Sequence, residues 1–224
     1  SLPVNYRVYD RAEGKTKNTY FLDMLAEVLA WGLEPDFMTG DSWYSSVDNL
    51  KTVKNHRMGF MFAVESNRTV STEKGTWVQV QKLAIPESGV MVWLREFGEV
   101  KLFRTQLKDQ LRHYVVFLPN ADAYAAFQQT DFQTLHDQHW RIEQYHRMIK
   151  QVCNIEKFQV RGKVPILNHI FAALCSYIHL QQMRFGDIIS NAYQWQRELY
   201  KDVVASFVKG FMVGKEYLNP QFQA

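Results

Sequence analysis

The sequence predicts an α/β fold on a mixed sheet, with a β-rich middle and a helical carboxyl-terminal part, and three observations carry that reading. Residues 1–65 alternate strand and helix patterns, which implies a sheet with at least one parallel crossover. Residues 68–118 break into short apolar runs separated by turn signals, and from Phe127 onward apolar residues recur at helical spacing. The corresponding division is 1–67 for a partial core, 68–120 for a β-rich insertion and 121–224 for a helical return.

Taken in order, Val4, Tyr6 and Val8 alternate with Asn5, Arg7 and Tyr9, the pattern of an edge or half-buried strand. Phe21, Leu25, Val28 and Leu29 then mark a helix from Asn18 to Trp31, with Gly32 as its stop. Phe37 to Gly40 reads as a short strand ending at Asp41. Ser45 or Ser46 caps a helix holding Val47, Leu50 and Val53, and Met58 to Val64 is a second apolar strand. The middle region gives strands at Trp77–Val80, Gly89–Leu94, Val100–Phe103 and His113–Phe117. Helices follow at Thr130–Val152, Val164–Met183 and Ile188–Val208.

Composition excludes several classes. Hydrophobic residues make up 46% and charged residues 22% of 224, an ordinary globular balance with ample core-forming side chains. The formal charge of +3 permits a polyanionic partner without demanding one, because clustering decides phosphate binding. Cys153 and Cys175 lie far apart without zinc-type spacing and read as free thiols in a reducing cytoplasm. No secretory leader is evident, and the longest apolar stretch, Val164 to Tyr177, is broken by Asn168 and His169, so it reads as a buried helix. Ser1 stands where an initiator methionine is expected and a strand-like run follows at once, so the sequence reads as a piece of a longer or engineered chain.

Two carboxylates stand out. Asp41 follows an apolar strand and opens a polar loop, where α/β sheets meet ligands, although such an aspartate serves equally well as a turn former. Along a helix turning about 100° per residue, His136, His139, Glu143, Arg147 and Lys150 fall within a stripe of roughly 80°. That stripe is either a solvated, salt-bridged face or an acid for metal flanked by bases for phosphate. Ile142, Tyr145, Ile149 and Val152 form the adjoining apolar seam. A di-iron reading of Glu143 and His146 lacks its second copy, and a zinc site on one helix lacks tetrahedral closure. No Walker loop, Gly-x-Ser-x-Gly or Gly-x-Gly-x-x-Gly element occurs.

Gly40-Asp41-Ser42-Trp43-Tyr44-Ser45-Ser46, followed by Asn49-Leu50-Lys51, resembles the second-aspartate region of bacterial insertion-sequence DDE transposases with a ribonuclease H-like core. Trp140 to Lys150, with Gln159-Val160-Arg161 after it, resembles their third-acid helix, and the likeness takes in Ser66-Asn67-Arg68 and the Leu167–Arg184 helix. One subgroup carries a Tyr-x2-Arg-x3-Glu-x6-Lys signature. Glu143 and Lys150 match its last two members, whereas His136 and His139 stand where Tyr and Arg are expected.

The resemblance implies a ribonuclease H-like mixed sheet with its first strands missing, in an enzyme that cuts transposon ends and joins them to target DNA. It implies two Mg²⁺ ions, with Mn²⁺ as a substitute, held by acids among which Asp41 and Glu143 are the second and third. It assigns His139, Arg147, Lys150, Trp43 and Arg141 to DNA contact. It further implies a possible homodimer and a cytoplasmic, nucleoid-associated protein with no membrane partner. An aromatic of the β insertion can stack on an extruded base in such enzymes; Trp77 and Trp93 are candidates, although packing inside the insertion is the plainer expectation. The basic run Lys101, Arg104, Lys108, Arg112 and His113 lines either a DNA path or a solvated face. Since nothing before Val4 supplies the first acid, the expectation is that this polypeptide alone does not cleave DNA. The alternatives are a non-catalytic nucleic-acid-binding relic of the same fold and a distinct metal-dependent nuclease that cleaves as it stands.

Overall fold

The computed structural model describes residues 2–73, 75–107 and 110–217. The chain forms two compact units, Val4–Ile142 and Ser1–Pro3 with Glu143–Ala224.

In the first unit, helix α1 (Lys17–Ala30) begins where Thr16 Oγ1 accepts the Thr19 amide at 3.1 Å, and it ends before Gly32, whose φ is +80°. Strand β1 (Phe37–Gly40) leads into α2 (Val47–Asn55), which Ser46 caps by accepting the Asn49 amide at 3.3 Å. Strand β2 (Gly59–Val64) returns parallel to β1, so the expected crossover is present. Then come β3 (Thr69–Glu73), β4 (Thr76–Gln79), β5 (Val90–Leu94), β6 (Gly98–Leu107) and β7 (Gln110–Phe117).

The seven strands of the described residues make one mixed sheet in the order β1-β2-β7-β6-β5-β3-β4, in line with the mixed sheet expected from the sequence. β7 runs antiparallel to β2, from Phe60 opposite Phe117 to Val64 opposite His113, so the β-rich middle region extends the sheet that β1 and β2 begin. β3 was not foreseen. Its only large apolar residue is Val70, yet it pairs with β4 on one side and β5 on the other.

Strand alternation puts the two sheet faces into two cores. Phe60, Phe62, Val64, Val100, Leu102 and Val115 face one way and pack with Leu25 of α1 and Leu50 and Val53 of α2. Met61, Phe103, Tyr114 and Val116 face the other way and meet Phe127 and Phe132. Phe127 follows the short helix α3 (Ala121–Ala126), and Phe132 lies on α4 (Gln129–Gln151). The Phe103 and Phe132 rings stack in parallel at 4.6 Å between centroids, and both are fully buried.

Two expectations give way here. Val4–Tyr9 forms no strand; Val4 and Tyr9 are exposed, and Asn5 and Arg7 are tied to Glu27 of α1 instead. Alternation alone cannot supply a ladder partner, and an Asn and an Arg within reach of one carboxylate draw the segment onto a helix. The Val164–Tyr177 stretch is helical as expected, but Val164 and Phe171 are exposed.

The second unit holds the end of α4, then α5 (Lys163–Phe185) and α6 (Ala192–Tyr217). Met148, Ile149 and Val152 pack with Leu174, Tyr177, Leu180, Ile189 and Ala192. Tyr145, Ile149 and Val152 belong to the apolar seam read from the sequence, whereas Met148 was not part of it and Ile142 is absent from this cluster; the Tyr145 and Tyr177 rings meet edge-on at 4.9 Å. Helix α6 starts later than Ile188 because Asn191 Oδ1 accepts the Tyr193 amide at 2.9 Å and so sets the first turn.

Removing the stacked ring at the centre of the second core tests its weight. Phe132→Ala is expected to lower the stability of the unit by about 3–5 kcal/mol, read from the urea midpoint of unfolding.

Candidate functional site

Asp41 is the first residue beyond β1. Gly40, just before it, lies under the Phe62 ring of β2, and a Cβ at that position would collide with the ring, so only glycine lets the parallel pair close at this end. The backbone then tightens into a single 3-10 turn over Ser42–Tyr44, with the Asp41 carbonyl accepting the Tyr44 amide at 3.0 Å. The Asp41 carboxylate makes no capping hydrogen bond, and its side chain is 54% exposed. The turn thus uses the backbone of Asp41, and its side chain makes no capping bond within the loop.

Neighbouring groups fix that loop. Asn49, fully buried, donates to the Tyr44 carbonyl at 3.0 Å and to Asn18 Oδ1 at 2.8 Å. Ser45 Oγ donates to the Ser42 carbonyl at 2.8 Å, and Ser42 Oγ donates to Glu65 Oε1 at 2.5 Å. Glu65 follows β2 and therefore sits at the same sheet end as Asp41, a second acid that the sequence did not single out. Trp43 is 69% exposed, and the Lys17 ammonium lies 4.5 Å from its ring centroid.

His139 lies opposite Asp41. Its Nε2 is 3.8 Å from Asp41 Oδ1, and its side chain is only 8% exposed. The Tyr114 ring stands edge-on to His139 at 6.3 Å and to His136 at 5.3 Å. Burial holds the His136 pKa below its ordinary value, with His139 and Arg112 adding to the effect and Asp137 opposing it. Burial likewise depresses His113, with Arg104 beside it.

The other sequence-derived candidates are distributed as follows. Arg141 is exposed on α4 in the first unit. Glu143, half-buried, and Arg147, exposed, lie in the second unit, as does Lys150, whose Nζ is 2.7 Å from Glu156 Oε1. Of these residues, the structure joins Asp41 with His139.

The basic run does not act as one surface. The pleat sends Lys101 to the Phe103 side, where its ammonium donates to the Phe127 carbonyl at 2.6 Å. His113 is buried opposite Arg104 in the ladder, Arg112 is exposed, and Lys108 lies outside the described residues. Trp77 and Trp93 were expected to pack inside their strands, yet they are 36% and 52% exposed. Both stand opposite Ser71 in the ladder, one on each side, and that small side chain covers neither. With Arg95, whose guanidinium lies 5.0 Å from the Trp77 ring centroid, they line an open pocket of about 640 Å³.

Among the described residues no group of three or more His, Cys, Asp and Glu side chains is gathered to hold a metal, and no helix is long and apolar enough to cross a membrane.

The two depressed histidines set a pH dependence. In the unfolded chain they titrate near 6.5 and in the folded chain lower, so the unfolded state binds more protons between those values. Their contribution is complete above about pH 6.5 and is lost as pH falls through the folded pKa. Urea midpoints are expected to decline on acidification over that window, and His113→Gln with His136→Gln is expected to flatten the decline.

A search among curated proteins returns no match. A family model described as a transposase DDE domain matches residues 1–178, a span that takes in the whole sheet, α4 and most of α5. The chain belongs to the transposase DDE domain family.

Proposed function

We propose that this chain supplies catalytic-domain residues of a DNA transposase, with Asp41 and Glu143 as metal-holding carboxylates in cleavage and joining of DNA strands. Family membership supports transposition as the process and DNA as the substrate. The observation that carries the assignment of Asp41 is its carboxylate, open to solvent beyond a parallel strand and left unused by the turn it begins.

The family generally uses divalent metal ions, and the donor chemistry here fits one. Mg²⁺ binds through one or two carboxylates while keeping waters and substrate phosphates, so a single exposed aspartate oxygen is a suitable contact. A bound divalent ion would polarise the phosphate and activate the attacking oxygen. The chain's own residues do the rest. Asp41 and Glu143 contribute negative oxygens, while Arg141, Arg147 and Lys150 offer cations to backbone phosphates. Lys150 exchanges its exposed pairing with Glu156 for phosphate at little cost, because both partners are largely solvated. Trp43 presents an open ring two residues beyond Asp41, fit to stack on a base, and the pocket between Trp77 and Trp93 has the size and aromatic walls for another.

Nicking of supercoiled DNA by the protein as its gene encodes it tests the reading. Asp41→Ala and Glu143→Gln are each expected to reduce Mg²⁺-dependent nicking at least about a hundredfold. Nicking retained in either variant removes that residue from the site. Should the protein retain DNA without metal and never nick it, the non-catalytic relic is the better description. In that case Arg141→Ala and Lys150→Ala are each expected to lower the salt slope of binding by about one.

A further inference from the structure

We infer that His139 is a positioning residue for Asp41: from its buried place on α4 it holds one carboxylate oxygen and leaves the other turned outward to a divalent cation. The inference rests on the reading of Asp41 as a metal-holding acid. It goes beyond that reading by giving His139 a task other than contact with DNA.

The starting point is how differently the two partners are held. His139 is 7% exposed, and its ring stands edge-on to Tyr114, itself 2% exposed, on a helix anchored nearby by fully buried Phe132. The imidazole therefore has little rotamer freedom. Asp41 is more than half exposed, and its loop makes no side-chain bond to it. An aspartate in that setting samples several rotamers, and fixing it on metal binding costs conformational entropy. One ring nitrogen aimed at one oxygen selects among those rotamers in advance.

The geometry gives the direction of the effect. Nε2 lies 3.8 Å from Oδ1, beyond hydrogen-bond length, and a turn of the exposed carboxylate toward the ring would bring the two into contact. Oδ1 is the oxygen nearer the imidazole. Once it engages Nε2, Oδ2 is the oxygen left for a ligand from solvent. Carboxylates that bind metals are commonly held in this way by an outer group, and removing such a group costs about 10–100-fold in metal affinity. Burial also argues against a primary phosphate-binding role, because a ring with 8% of its surface open offers little to a DNA backbone.

The test is Mn²⁺ affinity, followed by the loss of the free-ion EPR signal, in the wild-type chain and in variants whose fold is checked by circular dichroism. Glutamine places its amide nitrogen near the position of Nε2, whereas asparagine places it nearer that of Nδ1. His139→Asn is therefore expected to weaken Mn²⁺ binding about tenfold, and His139→Gln to restore most of it. In an Asp41→Asn background, His139→Asn is expected to add nothing further, since the oxygen it positions is gone. If Asp41→Asn weakens binding and His139→Asn does not, the positioning role is wrong while Asp41 keeps its assignment. If Asp41→Asn leaves binding unchanged, both the role and the metal reading of Asp41 fall. If His139→Asn and His139→Gln weaken binding equally, and still do so without Asp41, His139 serves packing alone and the inference is overturned.

Discussion

The parallel pairing of β1 with β2 fixes where Asp41 leaves the sheet, and the pairing depends on Gly40 lying bare beneath the Phe62 ring. That contact belongs to the larger core, where Phe62 is fully buried with Phe60 and meets Phe21 of α1 edge-on at 6.2 Å. One face of the strand pair is thus clamped by aromatic packing, and the other carries Met61 into the second core. A strand buried on both faces has little freedom to slip, because a shift of one residue would exchange its two cores. The end of β1 inherits this rigidity, and so does the first residue after it.

Much of this was legible in the sequence. The helices α1, α2, α4 and α5 declare themselves by apolar spacing, and Ser46 caps α2 as a serine before an apolar run should. Asp41 is legible because its position depends on a strand end and a loop start, both local features. Val4–Tyr9 misleads for the opposite reason: its alternation is as good as that of a real strand, but pairing is decided by distant residues. β3 shows the converse, with one buried valine sufficing because neighbours on both sides supply the ladder. Trp77 and Trp93 misled because large aromatics usually find cover, and cross-strand neighbours are invisible before register is known.

The candidate site divides in the same way. The sequence groups His136 and His139 with Glu143, Arg147 and Lys150 as one helical stripe, because it records only the angle about the helix axis. What lies against each part of the helix is a tertiary fact. Around His136 and His139 it is the Tyr114 side of the sheet, so these two are half-buried and buried; Arg147 and Lys150 are exposed. Glu65 was equally hidden, since only the alignment of β2 with β1 brings it to Ser42. A stripe that reads as one surface is in fact a half-buried and a buried imidazole, a half-buried Glu143, and then exposed Arg147 and Lys150.

The identity of residue 139 then matters chemically. An arginine there would present a permanently charged, forked donor set, which pairs with both oxygens of a carboxylate and competes directly with a cation for them. An imidazole offers one nitrogen toward the site and can engage one oxygen only. It also fits beside Tyr114 without forcing a guanidinium into a low-dielectric setting, where an unmatched charge is costly. Between a donor that can occupy the whole carboxylate and one that can occupy half of it, the second leaves one oxygen of Asp41 open. On this argument histidine, in place of the arginine of the resembled signature, is compatible with the role proposed for Asp41 because it can engage that residue less completely.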